Sequence, residues 1–165
     1  MSHYVDYKAA FDANRAALKV PPDCTVQPPS YRVSGDLIDP KSWDFSWWLT
    51  FADDTYIVCH EIILVRNEKP VRHYFSFHYG PIVSRNPEGK IDRSSTNALV
   101  LRICKNGREP IHLHFKTPHP APHYEQGKVE GLVLEKVDMF QFVKAVFRSR
   151  AEGIDLDKAM GFTLK

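Results

Sequence analysis

The chain has 165 residues, a formal net charge of +2 and 43% hydrophobic residues. This length and composition predict one domain with a sizeable core, and the charge is too small to mark a nucleic-acid-binding protein by itself. The three cysteines, Cys24, Cys59 and Cys104, have no paired spacing. They do not form a disulfide framework, they are too sparse for a zinc site made of cysteines, and they favour a reducing cytoplasm. No apolar run approaches the roughly 20 residues of a membrane span, and no signal-peptide pattern opens the chain, so we expect a soluble protein without a membrane partner.

The first 30 residues predict a helix followed by a linker. Apolar side chains recur at helical spacing over residues 3–20, and the prolines of residues 21–29 then break the helix and favour extended chain. We expect this helix to pack on the main sheet, and a partner-binding arm is the alternative. Residues 31–165 are expected to form a single α+β domain.

A strand-rich block follows. Residues 42–51, 55–66 and 71–79 are rich in β-branched and aromatic side chains and are separated by turn residues, which predicts a three-stranded antiparallel meander. Residues 80–96 contain glycine, proline and serine and form a long loop, a candidate for function or disorder.

The rest of the chain predicts a hairpin at 98–115, a second proline-rich loop, a last strand at 132–137 and a helix at about 139–151. The helix has a capping-box pattern at its start and Gly153 as its stop. The predicted fold is therefore α+β, with an antiparallel sheet of five to six strands on which an N-terminal and a C-terminal amphipathic helix pack.

The hairpin is the most informative segment for function. Asn106-Gly107 is a strong hairpin signal. A two-residue loop would pair Leu101 with His112. A three-residue loop at 105–107 would instead pair Leu101 with Ile111 and place Arg102 diagonal to His112. We prefer the second register, because it gathers the apolar side chains on one face. His112 and His114 are two residues apart in a strand, so both imidazoles are expected to face outward beside Arg102.

A second strand supplies a matching polar face. Arg72, Tyr74, Ser76 and His78 alternate with apolar residues. If the two strands lie close together, they present a surface suited to phosphodiester chemistry, because imidazoles exchange protons near neutral pH and arginine binds phosphate.

On this interpretation Arg102, His112 and His114 are the catalytic residues. Arg102 binds the scissile phosphate, and His112 and His114 act as base and acid. His78, Tyr74 and Arg72 contact the substrate or orient the catalytic groups. No metal or other cofactor is expected, because RNA carries its own nucleophile in the 2′-hydroxyl.

Other interpretations of the same residues stay open. Any of the strand histidines could be an ordinary solvated or hydrogen-bonded side chain. His112 and His114 could bind a metal ion, with His78, Glu61 or His119 as a third ligand. Cys104 shares a face with Arg102 and could be activated, although a buried structural thiol is the simpler description. The tryptophans at 43, 47 and 48 fill the core and one face of the sheet, or form a base-stacking platform.

The order of these motifs resembles the TumE-type toxins of bacterial toxin–antitoxin modules. The matching elements are the aromatic and histidine strand at 74–79, Leu101-Arg102, a short asparagine-containing turn, His112-Leu-His114 and a closing helix with Phe142. The resemblance covers about residues 45–150. Ile103-Cys104-Lys105 stands where the family usually has Tyr-Asp-Asn, and the N-terminal helix lies outside the usual family length.

The resemblance implies a toxin that acts on RNA in the cytoplasm and is neutralised by a cognate antitoxin protein. We therefore expect a metal-independent, RNA-cleaving toxin component. The alternatives are a non-catalytic, protein-binding inhibitor of phage or mobile-element origin and a metal-dependent enzyme that uses His112 and His114.

Overall fold

The computed structural model describes residues 2–36, 38, 40–91, 100–116 and 123–165. Residues 92–96 of the first long loop and residues 117–122 of the second, including His119, lie outside these ranges. The predicted α+β class is confirmed. The helices are α1 (His3–Ala16), α2 (Met139–Glu152) and α3 (Leu156–Met160). The strands are β1 (Cys24–Val26), β2 (Ser30–Ser34), β3 (Ser42–Phe51), β4 (Thr55–Arg66), β5 (Lys69–Pro81), β6 (Leu101–Lys105), β7 (His112–Phe115), β8 (Tyr124–Glu125), β9 (Val129–Glu130) and β10 (Thr163–Leu164).

Eight of these strands form one antiparallel sheet in the order β1-β3-β4-β5-β6-β7-β8, and β2 pairs with β3 beside β1. The expected meander is confirmed as β3, β4 and β5. Asn67 and Glu68 close its second turn in the left-handed conformation, with φ of 48° and 59°, as a two-residue hairpin loop requires. The sheet has more strands than the five or six expected. Strands β1 and β8 are too short to show an alternating pattern, and the five residues of β2 do alternate but were assigned to no strand.

The core lies between one face of the sheet and the helices. It joins the inward-facing residues of β3 to β7 to α1 and α2 in a single cluster. Phe11 of α1 packs edge-on against Trp47 and tilted against Phe140 of α2. The N-terminal helix therefore packs on the main sheet, as expected, and the segment expected to be a linker contributes strand β1.

The register of the β6–β7 hairpin differs from both sequence-based alternatives. Arg102 lies directly opposite His114, and Cys104 lies opposite His112. The connection spans residues 106–111, because Pro110 has no N–H for the ladder and pairing starts only after it. The preferred register was wrong, but Arg102, His112 and His114 still share one face.

A β-bulge in β5 places Arg72 on the opposite face from the one expected. Ile62 of β4 pairs with Tyr74 of β5, and the next residue, Ile63, pairs with Arg72. His73 therefore has no partner in β4 and is the extra residue of the bulge. Arg72 therefore points into the helix side, where its guanidinium lies 4.0 Å from the ring centroid of Phe75. Its expected position beside Tyr74 and His78 was wrong.

The C-terminal region closes the domain. The prediction of a strand at 132–137 was wrong, because Leu134–Lys136 forms a 3₁₀ turn. The short strands β9 and β10 pair with each other in this region. The helix that follows is confirmed, and Asp138 caps it by accepting a hydrogen bond from the Gln141 N–H. Among the described residues, no helix has the length and apolar composition that a membrane crossing needs.

Candidate functional site

The candidate site lies on the outer face of the sheet, which the helices leave uncovered. Two neighbouring rows of side chains cross this face from strand to strand. The first row consists of Ser46, His60, Ser76, Cys104 and His112. The second consists of Trp48, Val58, His78, Arg102 and His114. Antiparallel pairing puts residues of one row within contact distance of their neighbours, so β5, β6 and β7 bring the predicted residues together.

An open cleft of about 220 Å³ lies over part of these rows. Its lining residues are Trp48, Tyr56, Val58, His60, Tyr74, Ser76, His78 and Arg102. The Trp48 and Tyr56 rings stack with their centroids 5.6 Å apart, and the His78 ring stacks on the other side of Tyr56 at 5.1 Å. The cleft therefore combines an aromatic surface with a guanidinium and two imidazoles.

Arg102 is the cation of this cleft. It lies between His78 and His114 in the strand register, and its Nε–H donates to the Ser76 hydroxyl at 3.1 Å. This bond fixes one edge of the guanidinium. A fixed guanidinium suits the recognition of a phosphate group, which it can bind through two N–H groups.

His60 and Asp44 form a pair that the sequence interpretation missed. The His60 Nε2 lies 2.8 Å from the Asp44 Oδ1, and about a quarter of the His60 side chain is exposed. Asp44 is diagonal to His60 across the β3–β4 pair. A carboxylate that orients an accessible imidazole is a common arrangement for proton transfer. The signal in the sequence was Asp44 itself, a charged residue among the outward positions of an aromatic strand.

His112 and His114 lie at the other end of the rows, and both are buried, with 8% and 2% of their surface exposed. The expectation that they face outward into solvent was therefore wrong. The Nδ1 of His112 lies 2.9 Å from the Pro110 carbonyl oxygen, and its Nε2 lies 3.1 Å from the Cys104 Sγ. Both ring nitrogens of His112 are therefore engaged.

Cys104, His112 and His114 form a cluster whose potential ligand atoms all lie within 4.8 Å of one another. Burial raises the pKa of the Cys104 thiol, although the neighbouring Arg102 acts to lower it, so the isolated thiol stays protonated at neutral pH. The sequence interpretation had offered His78, Glu61 or His119 as the third member of this group. The structure puts Cys104 there, Glu61 instead accepts a hydrogen bond from Tyr7 of α1, and His119 lies outside the described residues.

His78 is enclosed by its neighbours and is 3% exposed. Burial, and secondarily the charge of Arg102, lower its pKa to about 3, so this imidazole is neutral near pH 7. Its Nε2 has no hydrogen-bond partner among the described residues. A buried polar nitrogen of this kind is available to a bound ligand or a water molecule.

A second cleft of about 440 Å³ shares Trp48 with the first. Its other lining residues are Gln27, Thr50, Arg85, Gly89, Lys90 and Ile91. The two clefts meet at Trp48 and are together called the groove, with Arg102 in one part and Arg85 and Lys90 in the other.

Of the predicted substrate-contacting residues, Tyr74 and His78 line the groove and Arg72 does not. Arg72 is structural: its guanidinium donates to the carbonyl oxygens of Val137 and Glu135 at 2.8 and 2.7 Å and pairs with Glu61 at 3.4 Å.

Comparisons of the chain with protein-family models, curated proteins and solved structures give no match. The residues of the outer face and their geometry are therefore the basis for assigning a function.

Proposed function

We propose that the protein cleaves RNA in the groove on the outer face of the sheet, as the toxin component of a toxin–antitoxin module. The observation that carries this proposal is Arg102, a guanidinium held by Ser76 in a cleft that also contains stacked aromatic rings and an accessible imidazole. Phosphate binding, base stacking and proton transfer are the three requirements of cleavage at a single-stranded site.

Trp48 accounts for binding of the bases, because its ring is only partly buried, whereas Tyr56 is 3% exposed. Trp48 is shared by both clefts and is stacked on Tyr56. Each base that stacks on an exposed aromatic ring contributes about 1–3 kcal/mol. Arg102 in one part of the groove, and Arg85 and Lys90 in the other, provide cations for the sugar-phosphate backbone, although Arg85 and Lys90 also pair with Asp54 and Glu88.

His60 is the group to which we assign proton transfer. It lines the cleft, is partly exposed and is held by Asp44. It would accept the proton of the 2′-hydroxyl, whose oxygen then attacks the adjacent phosphorus and expels the 5′-oxygen. Tyr74 contacts the His60 ring at 5.0 Å between centroids and can protonate that leaving oxygen. Arg102 would stabilise the charge that develops on the phosphate.

The base and acid roles predicted for His112 and His114 stay predictions. Both imidazoles are buried, and both nitrogens of His112 are engaged by Pro110 and Cys104. We therefore place the proton transfer at His60, and the same assay tests both assignments.

The test measures cleavage of a single-stranded RNA by purified protein, with analysis of the product ends. Attack by the 2′-hydroxyl leaves a 2′,3′-cyclic phosphate on one fragment. We expect Arg102→Ala to lower the rate by about 10²–10³ and His60→Asn by about 10²–10⁴. Arg66→Ala and His3→Asn change the same residue types outside the groove and should leave the rate unchanged.

The outcomes separate the assignments. Full activity in Arg102→Ala would overturn the proposal. If His60→Asn keeps full activity while folded His112→Ala or His114→Ala loses cleavage activity, the proton transfer belongs to the two buried histidines. An antitoxin that neutralises this activity would be expected to cover the groove, so RNA and antitoxin should compete for the protein.

A further inference from the structure

We infer that Cys104, His112 and His114 bind a zinc ion. The three side chains lie on the paired strands β6 and β7, and Cys104 is directly opposite His112. All three are buried, and their potential ligand atoms lie within 4.8 Å of one another. In a tetrahedral zinc site, ligand atoms are about 3.3–3.8 Å apart, so modest side-chain rotations would bring this cluster into the required geometry.

The orientation of His112 suits a metal ligand. A carbonyl oxygen only accepts hydrogen bonds, so the contact with Pro110 O requires the proton on Nδ1 of the neutral ring. The Nε2 lone pair then points at the Cys104 sulfur, 3.1 Å away. Histidine ligands of metals typically have this arrangement, in which the second ring nitrogen donates to a carbonyl or carboxylate oxygen that fixes the ring.

The donor set selects the metal. One thiolate with two imidazoles favours zinc or another late transition metal and disfavours Mg²⁺ and Ca²⁺, which prefer oxygen ligands. On binding, the zinc ion replaces the proton of the Cys104 thiol, which is released to solvent, and a sulfur–zinc bond forms with no change of oxidation state. Arg102 lies two residues from Cys104 on the same face of β6, and its positive charge favours the thiolate.

The three side chains leave the fourth position of a tetrahedral site open. The exposed ring of His123 lies 4.7 Å from His112 and 5.9 Å from His114 between centroids, so water or His123 is left to take this position. Three protein ligands with one open position are the pattern of exchangeable or catalytic zinc sites. Zinc binding does not depend on the proposed RNA cleavage, and its test measures no activity.

The test is a metal titration of the untagged full-length protein after chelation and dialysis. We expect one zinc ion per chain with a Kd below about 1 µM, measured by competition with a chromophoric chelator. Cys104→Ser and His114→Gln should each weaken binding by more than about 100-fold. Cys24→Ser and His3→Gln change the same residue types elsewhere and should retain the wild-type affinity.

Cobalt substitution provides a readout that needs no variant. Co²⁺ bound by Cys104 would give a thiolate-to-cobalt charge-transfer band in the near ultraviolet and the intense visible bands of tetrahedral coordination. Absence of stoichiometric binding in the wild-type protein would overturn the inference. Binding without the charge-transfer band, or with undiminished affinity in folded Cys104→Ser, would also overturn it.

Discussion

At the scale of single residues, the buried carboxyl group of Glu61 has a pKa that differs between the folded and unfolded states. The side chain accepts a hydrogen bond from the Tyr7 hydroxyl at 2.7 Å and pairs with Arg72 at 3.4 Å. Burial nevertheless raises the pKa of this carboxyl, against the lowering effects of Tyr7 and Arg72. The folded state therefore holds the proton more tightly than the unfolded chain does.

This gives a prediction about pH. Because the folded-state pKa of Glu61 is raised, its stabilising contribution is complete below the unfolded value of about 4.3 and is lost as the pH rises through the folded value. Glu61→Gln removes the titration and keeps the shape. The free energy of unfolding of the wild type, relative to Glu61→Gln, should fall as the pH rises from about 4 to 7.

Denaturant unfolding at a series of pH values measures this difference. The exposed Glu130→Gln serves as the control and should follow the wild type across the series. A difference between the wild type and Glu61→Gln that stays constant or grows with pH would contradict the account of Glu61.

Residues of the candidate site were only partly predictable. The alternation of β5, β6 and β7 correctly put Tyr74, His78, Arg102 and both His112 and His114 on one face. The same alternation could not show that His112 and His114 are buried, because burial depends on what covers the strand.

At the scale of elements, the C-terminal strand pair depends on a close backbone approach. Gly131 follows β9 and has a φ of +82°, and a Cβ atom there would collide with the carbonyl oxygen of Gly161. Gly131→Ala should therefore destabilise the protein by at least about 2 kcal/mol, through both the left-handed backbone and the collision.

Gly127 provides the matched control. No atom lies within 4 Å of the position its Cβ would occupy, and its backbone is not left-handed. Gly127→Ala should change the free energy of unfolding by less than about 1 kcal/mol. Thermal and denaturant unfolding of the two variants should give clearly different stabilities, and equal values would show that the contact between Gly131 and Gly161 does not stabilise the fold.

Most long elements were predictable from the sequence, and their pairing was not. The bounds of β3 and β4 match the patterns at 42–51 and 55–66, because apolar periodicity and turn residues coincide there. The bulge at His73 and the late start of pairing after Pro110 are single-residue events, and they changed the face of Arg72 and the register of β7. A one-residue slip reverses every side chain in a strand, so periodicity alone could not settle these points.

At the scale of the whole molecule, α1 belongs to the main core. Phe11 is 3% exposed and contacts Phe45, Trp47 and Phe140, with ring centroids 4.8, 5.1 and 5.4 Å away. Phe11→Ala should lower the free energy of unfolding by about 3–5 kcal/mol. Val5→Ala, on the exposed side of the same helix, should cost less than about 1 kcal/mol.

This pair of variants tests the alternative that α1 is a partner-binding arm. Removing a side chain from an arm that is free in solution would leave the unfolding of the body unchanged. Equal stabilities of the wild type and Phe11→Ala in denaturant unfolding would therefore support the arm and contradict the packing of α1 in the core.

The division of the molecule into two faces explains how stability and function are separated. The helix side of the sheet holds the aromatic core, and the outer side holds the groove and the cluster of Cys104, His112 and His114. Substitutions in the groove are therefore expected to change activity more than stability, because His60 and Arg102 are not part of the hydrophobic core.

A DNA strand that carries a single ribonucleotide shows whether cleavage in the groove uses the 2′-hydroxyl of RNA. A cleavage site is first mapped in a long single-stranded RNA, and the protein is then given a DNA strand with one ribonucleotide at that position. We predict cleavage of this strand after the ribonucleotide, with a 2′,3′-cyclic phosphate end, and no cleavage of the all-DNA strand. Absence of RNA cleavage by the wild type, or equal cleavage of the all-DNA strand, would contradict the proposal that the groove around Arg102 and His60 uses the 2′-hydroxyl of RNA.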